Sequence, residues 1–502
     1  MSRVAILLAL AVGDAQAGKM ATLRPAAPRV ARQAARVTLA AEHAATAEPR
    51  ASPWSRQWLP AMPVSYADPT RPNACTLLGE RLVIWKGATG WAAAEDACPH
   101  RLAPLSTGAV RADGTLACRF HGWRFDERGA CVDVPSAPSP ALGARLCASA
   151  DTCVRSFPVA VRAGLVWVWL ESGAEGAARA AATAVPALEG EEKLSWELNV
   201  QPISFESMVE NSLDPSHAPF LHAGLGSFGA TAGAIPMERP AISTKPSAEG
   251  FEMRHGGYDV RTAGMNATRR FAAPSLVDVR YAYRTGRATH FPIHFVPAAP
   301  FETRVLVGIQ LPSVPRWVPE RVRAALGDAL HVLFFALDGT WRFNDQDRFT
   351  MAGQDSIQAE QPRRRQLAFD MATPSDVGVS TFRRWLALVG GGPFAAAERA
   401  AGSARPGSPN EALSRWDAHG RHCPRCRAAM RRFERARALG ERAALASTAL
   451  AVLALAVRSP AFASTAAAAL ALHGLARVFA GWQRSMLGRP AKEAWLEEVF
   501  QK

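Results

Sequence analysis

Two short runs, Cys98-Pro-His100 and Cys118-Arg-Phe-His121, restrict the fold of this chain more than anything else in its sequence. Each pairs a cysteine with a histidine two or three residues on, and seventeen residues separate the pairs. Thiolates and imidazoles offered from two separate loops suit a [2Fe–2S] cluster with both cysteines on one iron and both histidines on the other. Neutral imidazoles in place of thiolates lower the negative charge of such a cluster and raise its potential. Zinc accepts the same donors, but C-x-H…C-x-x-H is not the usual finger spacing. Around the ligands, Pro99, Gly108, Gly114, Gly122, Phe120, Trp123 and Phe125 predict short strands and tight turns in a small β-domain. The flanking runs GERLVIWKG (79–87) and VRAGLVWVWL (161–170) read as further short apolar strands. A cluster of this kind carries one electron and does no chemistry on a substrate, so it calls for a second site.

That site is expected in ENSLDPSHAPFLHAG, which begins at Glu210. His217 and His222 stand five apart, with Asp214 three residues before the first. Two histidines with a distant carboxylate form the facial triad of a mononuclear non-haem iron, which leaves coordination positions open on one face. Pro215 and Pro219 argue against a continuous helix here and for a locally distorted segment. The stretch LDGTWRFNDQDRFTMAGQD offers Asp338, Asp345 and Asp347 as the third ligand, with Asp347 preferred and Asp345 the runner-up. Asp214 suits a different task, accepting a ring N–H of His217 to orient the imidazole.

Charge is confined to the ends. The net charge of +14 divides into +4 over residues 1–50, +9 over 401–502 and only +1 between them, which argues against a nucleic-acid-binding surface on the main fold. The opening MSRVAILLALAVGDAQAGKM has the pattern of a short signal peptide, and the Ala- and Arg-rich stretch after it that of a transit segment. Toward the other end, Ala443–Val457 and Ala461–Ala476 are apolar arms joined at Arg458-Ser-Pro and flanked by arginines on both outer sides. They read either as the buried hairpin of a soluble domain or, preferably, as a membrane hairpin with both termini on one side. Among eight cysteines, Cys75, Cys131, Cys147 and Cys153 lack ligand spacing and read as small buried apolar side chains. Cys423 and Cys426 form a C-x-x-C within WDAHGRHCPRCRAAMRR. The pair suits half a zinc site with His419 or His422, a thiol–disulfide couple, or an inert pair.

The two metal constellations in this order resemble the oxygenase component of Rieske non-haem iron oxygenases, from about Arg56 to Gln354. At finer grain the chain is similar to the plastid branch that includes the pheophorbide a oxygenases, the translocon-associated Rieske protein and the protochlorophyllide-dependent oxygenases. Trp58-Leu-Pro60, CPHRLAPLSTG (98–108), NDQDR (344–348), FRRWL (382–386) and RWDAHGRHCPRC (415–426) carry the likeness. It implies an α+β fold, with a Rieske [2Fe–2S] β-domain at 56–172 and an antiparallel-sheet and helix catalytic domain at 190–400. A signal-like segment (1–17) and a transit-like leader (18–50) would precede them. A basic C-x-x-C segment (415–442), an α-helical membrane hairpin (443–476) and a tail (477–502) would follow.

The same resemblance implies cluster ligands Cys98, His100, Cys118 and His121, iron ligands His217, His222 and Asp347, and Asp214 as the link between the centres. It implies ferredoxin as electron donor, O2 as co-substrate, a hydrophobic tetrapyrrole such as pheophorbide a as substrate, and a homotrimer in a chloroplast membrane, inner envelope or thylakoid. Cys423 and Cys426 would be a thioredoxin-addressable pair. The alternatives are a redox-regulated Rieske protein of the plastid import machinery, or an oxygenase of protochlorophyllide, chlorophyllide or a phyllobilin.

Overall fold

A computed structural model describes residues 54–188, 190–191, 194–223, 225, 233–310, 317–336, 338–360, 371–394 and 405–488. The signal-like and transit-like segments, and the tail from residue 489, lie outside the described residues. Of those described, residues 54–220, 233–310, 354–360, 371–394 and 405–406 form one compact unit, and 221–225, 317–353 and 407–488 a second.

The first unit is built on four antiparallel sheets. β1 (Trp58–Pro63), β10 (Val159–Arg162) and β11 (Leu165–Trp169) pair in the order β1-β11-β10. β2 (Asn73–Leu77), β3 (Glu80–Lys86), β4 (Trp91–Glu95) and β9 (Ser156–Phe157) form a second sheet in the order β2-β3-β4-β9. A third, of two- and three-residue strands, carries the cluster loops: β5 (Ala109–Val110), β6 (Leu116–Ala117), β7 (Arg124–Phe125) and β8 (Cys131–Asp133). The largest sheet has the order β12-β18-β17-β16-β15-β14-β13. Its strands are β12 (Leu194–Gln201), β13 (Ala241–Ser247), β14 (Gly250–His255), β15 (Asn266–Ala272), β16 (Leu276–Ala282), β17 (Ala288–Ala299) and β18 (Glu302–Gln310).

VRAGLVWVWL is not one strand, as its apolar run suggested, but a hairpin. Ala163 and Gly164 both have positive φ, 52° and 76°, and turn the chain between β10 and β11. Leu78 and Gly79, at 50° and 81°, do the same between β2 and β3. Two successive positive-φ residues match the twist of the strands they join. The core then runs continuously from Trp58, Leu82 and Trp169 to Trp196, Val296 and Leu306 of the large sheet. Buried Arg304 crosses it, donating through Nε and Nη2 to the Ala61 carbonyl at 3.0 and 2.8 Å.

Helices fill in around these sheets. α1 (Pro140–Cys147) and α2 (Gly173–Ala182) flank the small sheets, and α3 (Phe205–Leu213) and α4 (Ala218–Leu221) follow β12. The break between α3 and α4 falls where Pro215 and Pro219 predicted it. α5 (Glu320–Ala336) belongs to the second unit, α6 (Asp338–Glu360) runs from the second into the first, and α7 (Val377–Leu388) packs against α3. The Cys131 and Cys147 thiols, expected to be inert apolar groups, face each other at 2.8 Å where α1 meets β8.

In the second unit, α8 (Pro409–Ala412) precedes two long antiparallel helices, α9 (Pro424–Ala456) and α10 (Phe462–Leu487). Both outrun the apolar arms read from hydropathy. Pro424 opens α9 at its first helical position, and the Arg-, Ala- and Glu-rich stretch behind it is good helix former, so the helix starts well before the apolar run. At 33 residues α9 is about 50 Å long. Both helices are long and apolar enough to cross a membrane, and only 22% and 6% of their apolar windows are buried within the chain. At the basic end of the hairpin they are held by Phe433 against Phe479 and Trp482.

Candidate metal centres

The two cluster loops close with one backbone pattern. In the first, Cys98 N–H donates to Ala103 O at 2.9 Å and Leu102 N–H donates back to Cys98 O at 2.7 Å. In the second, Cys118 N–H donates to Trp123 O at 2.8 Å and Gly122 N–H to Cys118 O at 3.0 Å. The residue four after each cysteine, Leu102 or Gly122, has a φ of 56° or 75°. Glycine enters that region freely, leucine only when the fold compels it. The loops bring His100 and His121 to a ring separation of 4.5 Å, with His100 stacked on Trp123 at 4.9 Å. Buried Asp96 ties down the first loop, accepting from Ser106 N–H and Oγ–H at 2.6 Å each. A Cβ at Gly108 would lie 2.1 Å from the Ala117 carbonyl, so any larger residue would force the two loops apart.

The donors are arranged by depth. Cys98 and Cys118 are 2% and 3% exposed, whereas His100 is exposed and His121 half-buried. Burial above all, with the neighbouring Cys118 thiol, pushes the Cys98 thiol up to about 11. Thiolate at that depth therefore needs a cation beside it. His121 Nδ1 is buried without a hydrogen-bond partner, a lone pair placed for a metal. Two deep thiols and two shallow imidazoles fit a [2Fe–2S] cluster whose histidine side meets the surface.

The second centre starts at α3, whose N-terminus is anchored from α6. Asp355 accepts from Ser204 N–H and Oγ–H at 2.6 and 2.7 Å and from Ser207 Oγ–H at 2.6 Å, all buried. Arg383 of α7 donates twice to Glu210, at 2.8 and 3.0 Å. So fixed, α3 delivers Asp214 at its C-terminal cap. Asp214 Oδ1 accepts from Ser216 N–H and Oγ–H at 2.9 and 2.6 Å, and Oδ2 lies 3.8 Å from His217 Nδ1. Burial pushes this carboxyl up, but His217 and Ser216 outweigh it and hold it below the usual carboxylate range.

His222 is fully buried, and its Nδ1–H donates to Gln346 Oε1 at 3.0 Å. That bond leaves Nε2 as the metal-binding nitrogen, and it lies 3.2 Å from Asp347 Oδ1. Phe343 stacks on the imidazole at 3.7 Å. One ligand atom each of His217, His222 and Asp347 lies within 4.8 Å of the other two. Two imidazoles and a carboxylate at that spacing make a mononuclear iron site.

Asp345, the runner-up, does other work. It is fully buried and held by Arg348 and by Arg415, which donates at 3.0 Å from Nε and 2.6 Å from Nη2. NDQDR thus divides its labour. Asp345 anchors α6 through arginines, Gln346 orients His222, and Asp347 faces the metal position. Gln346 and Phe343 were not singled out from sequence. The available signal was the helix itself, because positions 343 and 347 share a face. Cys423 and Cys426 are buried beside His331 and His419, whereas His422 stands apart with Nε2 3.1 Å from the Asp417 carbonyl oxygen.

Residues 57–158 match the model of the Rieske [2Fe–2S] domain. The chain is 38% identical over 176 residues to a chloroplastic pheophorbide a oxygenase of Oryza sativa subsp. japonica, covering 34% of this chain and 33% of that one. It is 33% identical over 217 residues to flavonoid 8-hydroxylase 2 of Ocimum basilicum, also chloroplastic, covering 41% and 40%. The aligned stretch thus spans about a third to two fifths of those relatives. The crystal structure of dicamba monooxygenase bound to dicamba superimposes with a TM-score of 0.50 at 20% identity, over 68% of this chain and 98% of the other, a likeness of fold. The chain thus contains a Rieske [2Fe–2S] domain and is similar, over part of its length, to chloroplastic oxygenases and hydroxylases of plants.

Proposed function

We propose that the chain is a membrane-associated oxygenase of the Rieske non-haem iron type, taking electrons from ferredoxin and oxygenating a hydrophobic tetrapyrrole, pheophorbide a first among candidates. The observation that carries this reading is the presence, in one chain, of a Cys2His2 loop pair in a Rieske domain and a separate His/His/Asp group. In it Cys98, His100, Cys118 and His121 hold the cluster, while His217, His222 and Asp347 hold the iron.

Loaded, the cluster supplies single electrons and the ferrous ion a place for O2, so that substrate, O2, two electrons and two protons yield oxygenated product and water. The protein's part is positioning and charge. Asp347 would contribute one negative charge beside the two imidazoles, a donor set that leaves an iron room to take substrate and O2. Gln346 keeps His222 in one tautomer, and Asp214, ionised at neutral pH, places a negative charge 3.8 Å from the His217 ring. His100, at the surface, offers the edge through which a donor such as ferredoxin reaches the cluster. Asp214 is the link through which electrons would pass to this iron from the cluster of a neighbouring copy in a homotrimer, as the resemblance implies.

Pheophorbide a is favoured by the rice relative, and an apolar substrate suits a chain with two exposed apolar helices. On the same grounds the site of action is a chloroplast membrane. A single turnover under 18O2, with reduced ferredoxin and full iron loading, tests the reading. One labelled oxygen atom in a product of pheophorbide a is the expected result. No product from pheophorbide a overturns that substrate, and a labelled flavonoid or protochlorophyllide product in a parallel reaction names its replacement. No oxygenated product from any of the three overturns the oxygenase reading and returns the import-associated redox protein.

A further inference from the structure

The second unit holds four buried donor groups that neither iron site uses. His331 lies on α5, His419 on the π-helical turn Trp416–Gly420, Cys423 at the N-cap of α9, and Cys426 in its first turn. Their exposures are 8%, 1%, 0% and 1%. One ligand atom from each lies within 4.8 Å of all the others. We propose that these four residues form a closed, tetrahedral site for a structural zinc ion at the base of the C-terminal hairpin.

Geometry supports a metal over a chance cluster. A tetrahedral zinc with bonds of about 2.3 Å to sulfur and 2.0–2.1 Å to nitrogen has S···N edges of about 3.5 Å. Cys423 Sγ and Cys426 Sγ lie 3.3 and 3.6 Å from His331 Nε2. Charge supports zinc too, since two thiolates neutralise one divalent ion and the loaded site can be buried without a net charge. With four protein ligands and no open position, such a site is structural, not catalytic.

The local chain is shaped for it. The turn at 416–420 is closed by Arg421 N–H donating to Trp416 O at 2.9 Å, and Cys423 N–H donates to His419 O at 3.0 Å, which sets these two ligands side by side. Gly420 is required there, because a Cβ would lie 2.3 Å from the Trp416 ring. His331 comes from a different helix, which the Arg425–Asp328 ion pair at 3.1 Å also ties to α9. A metal would thus join α5 to α9. It would also hold the segment carrying Arg415, which grips Asp345 two residues before Asp347.

The competing reading is a thioredoxin-addressable couple. It needs sulfur that a partner's thiolate can reach, and at 0% and 1% exposure neither cysteine offers that.

Full-length protein in detergent, grown with zinc and iron, decides between them by metal analysis. One zinc per chain, resistant to EDTA in the native state and released on unfolding, is the expected result. Growth with cobalt should give the absorption of tetrahedral Co(II) with thiolate ligands. Cys426→Ser and His331→Ala should each cut bound zinc to below a tenth of wild type while the Rieske EPR signal persists. If those variants fail to fold, the wild-type zinc content and cobalt spectrum still decide. Wild type without zinc, iron in its place, zinc retained in both variants, or native Cys423 and Cys426 that alkylate and cycle with thioredoxin would each overturn the proposal.

Discussion

The chain carries two Cys2His2 groups that differ in depth and in origin. The first, Cys98, His100, Cys118 and His121, comes from two neighbouring loops, one leading from β4 into β5 and one joining β6 to β7, and its histidines reach the surface. The second, His331, His419, Cys423 and Cys426, is assembled from residues as much as 95 positions apart and is buried throughout. Identical donor types serve different ends because access differs. A cluster that exchanges electrons needs an edge a partner can approach, whereas a structural ion is held best where water and partners are excluded. The lesson is that donor identity alone does not assign a metal site, and the exposure of each ligand does.

This contrast can be broken experimentally. The largest effect is expected from Cys118→Ala, which should abolish the Rieske EPR signal and turnover together while zinc content stays at wild-type level. Loss of zinc as well would mean the two groups are not independent. Next in size, His331→Ala should destabilise the second unit by more than ~4 kcal/mol, as removal of a structural metal does, read as a lowered unfolding midpoint. An unchanged midpoint would leave the buried group without a structural role.

Gln346→Leu should leave both Cys2His2 groups intact but weaken iron retention or turnover by about 10- to 100-fold, the usual effect of losing a partner that orients a metal-binding imidazole. Iron stoichiometry beside an undiminished cluster signal would show it.

The smallest effect concerns acid. It comes from a buried histidine that belongs to neither group. Burial drives His294, in β17 against Trp167, down to about 3, against about 6.5 in the unfolded chain. Between these values the unfolded state binds the additional proton, so stability falls as pH drops through that window and is unaffected above it. His294 should thus cost ~1–2 kcal/mol between pH 7 and pH 5. Denaturation midpoints at the two pH values should show this slope reduced in His294→Phe, and an undiminished slope would assign it elsewhere.

Much of the architecture was readable beforehand because it is set locally. Short turns with glycine or paired positive φ, apolar runs of strand length and proline breaks announce themselves within five to ten residues. The β-domain, the break between α3 and α4, and the two C-terminal helices are legible for that reason. Hydropathy misjudged the start of α9, because helix propensity continues through Arg425–Arg442 where apolarity does not. It also missed the hairpin in VRAGLVWVWL, because its turn residues Ala163 and Gly164 sit inside an apolar run.

By itself, then, the sequence determined the small β-domain, the two donor constellations and the ligand pairs that lie within one turn of each other, while the α+β class came with the family resemblance. Such pairs are held by bonds spanning four or five residues, like those from Cys98 to Leu102 and Ala103. Only the tertiary structure decided that Asp347 and not Asp345 meets His222, that Gln346 holds that ring, and that His331 joins the C-x-x-C. Each of these contacts rests on side chains 70 to 125 positions apart or on helix faces set by packing, and no local spacing encodes them.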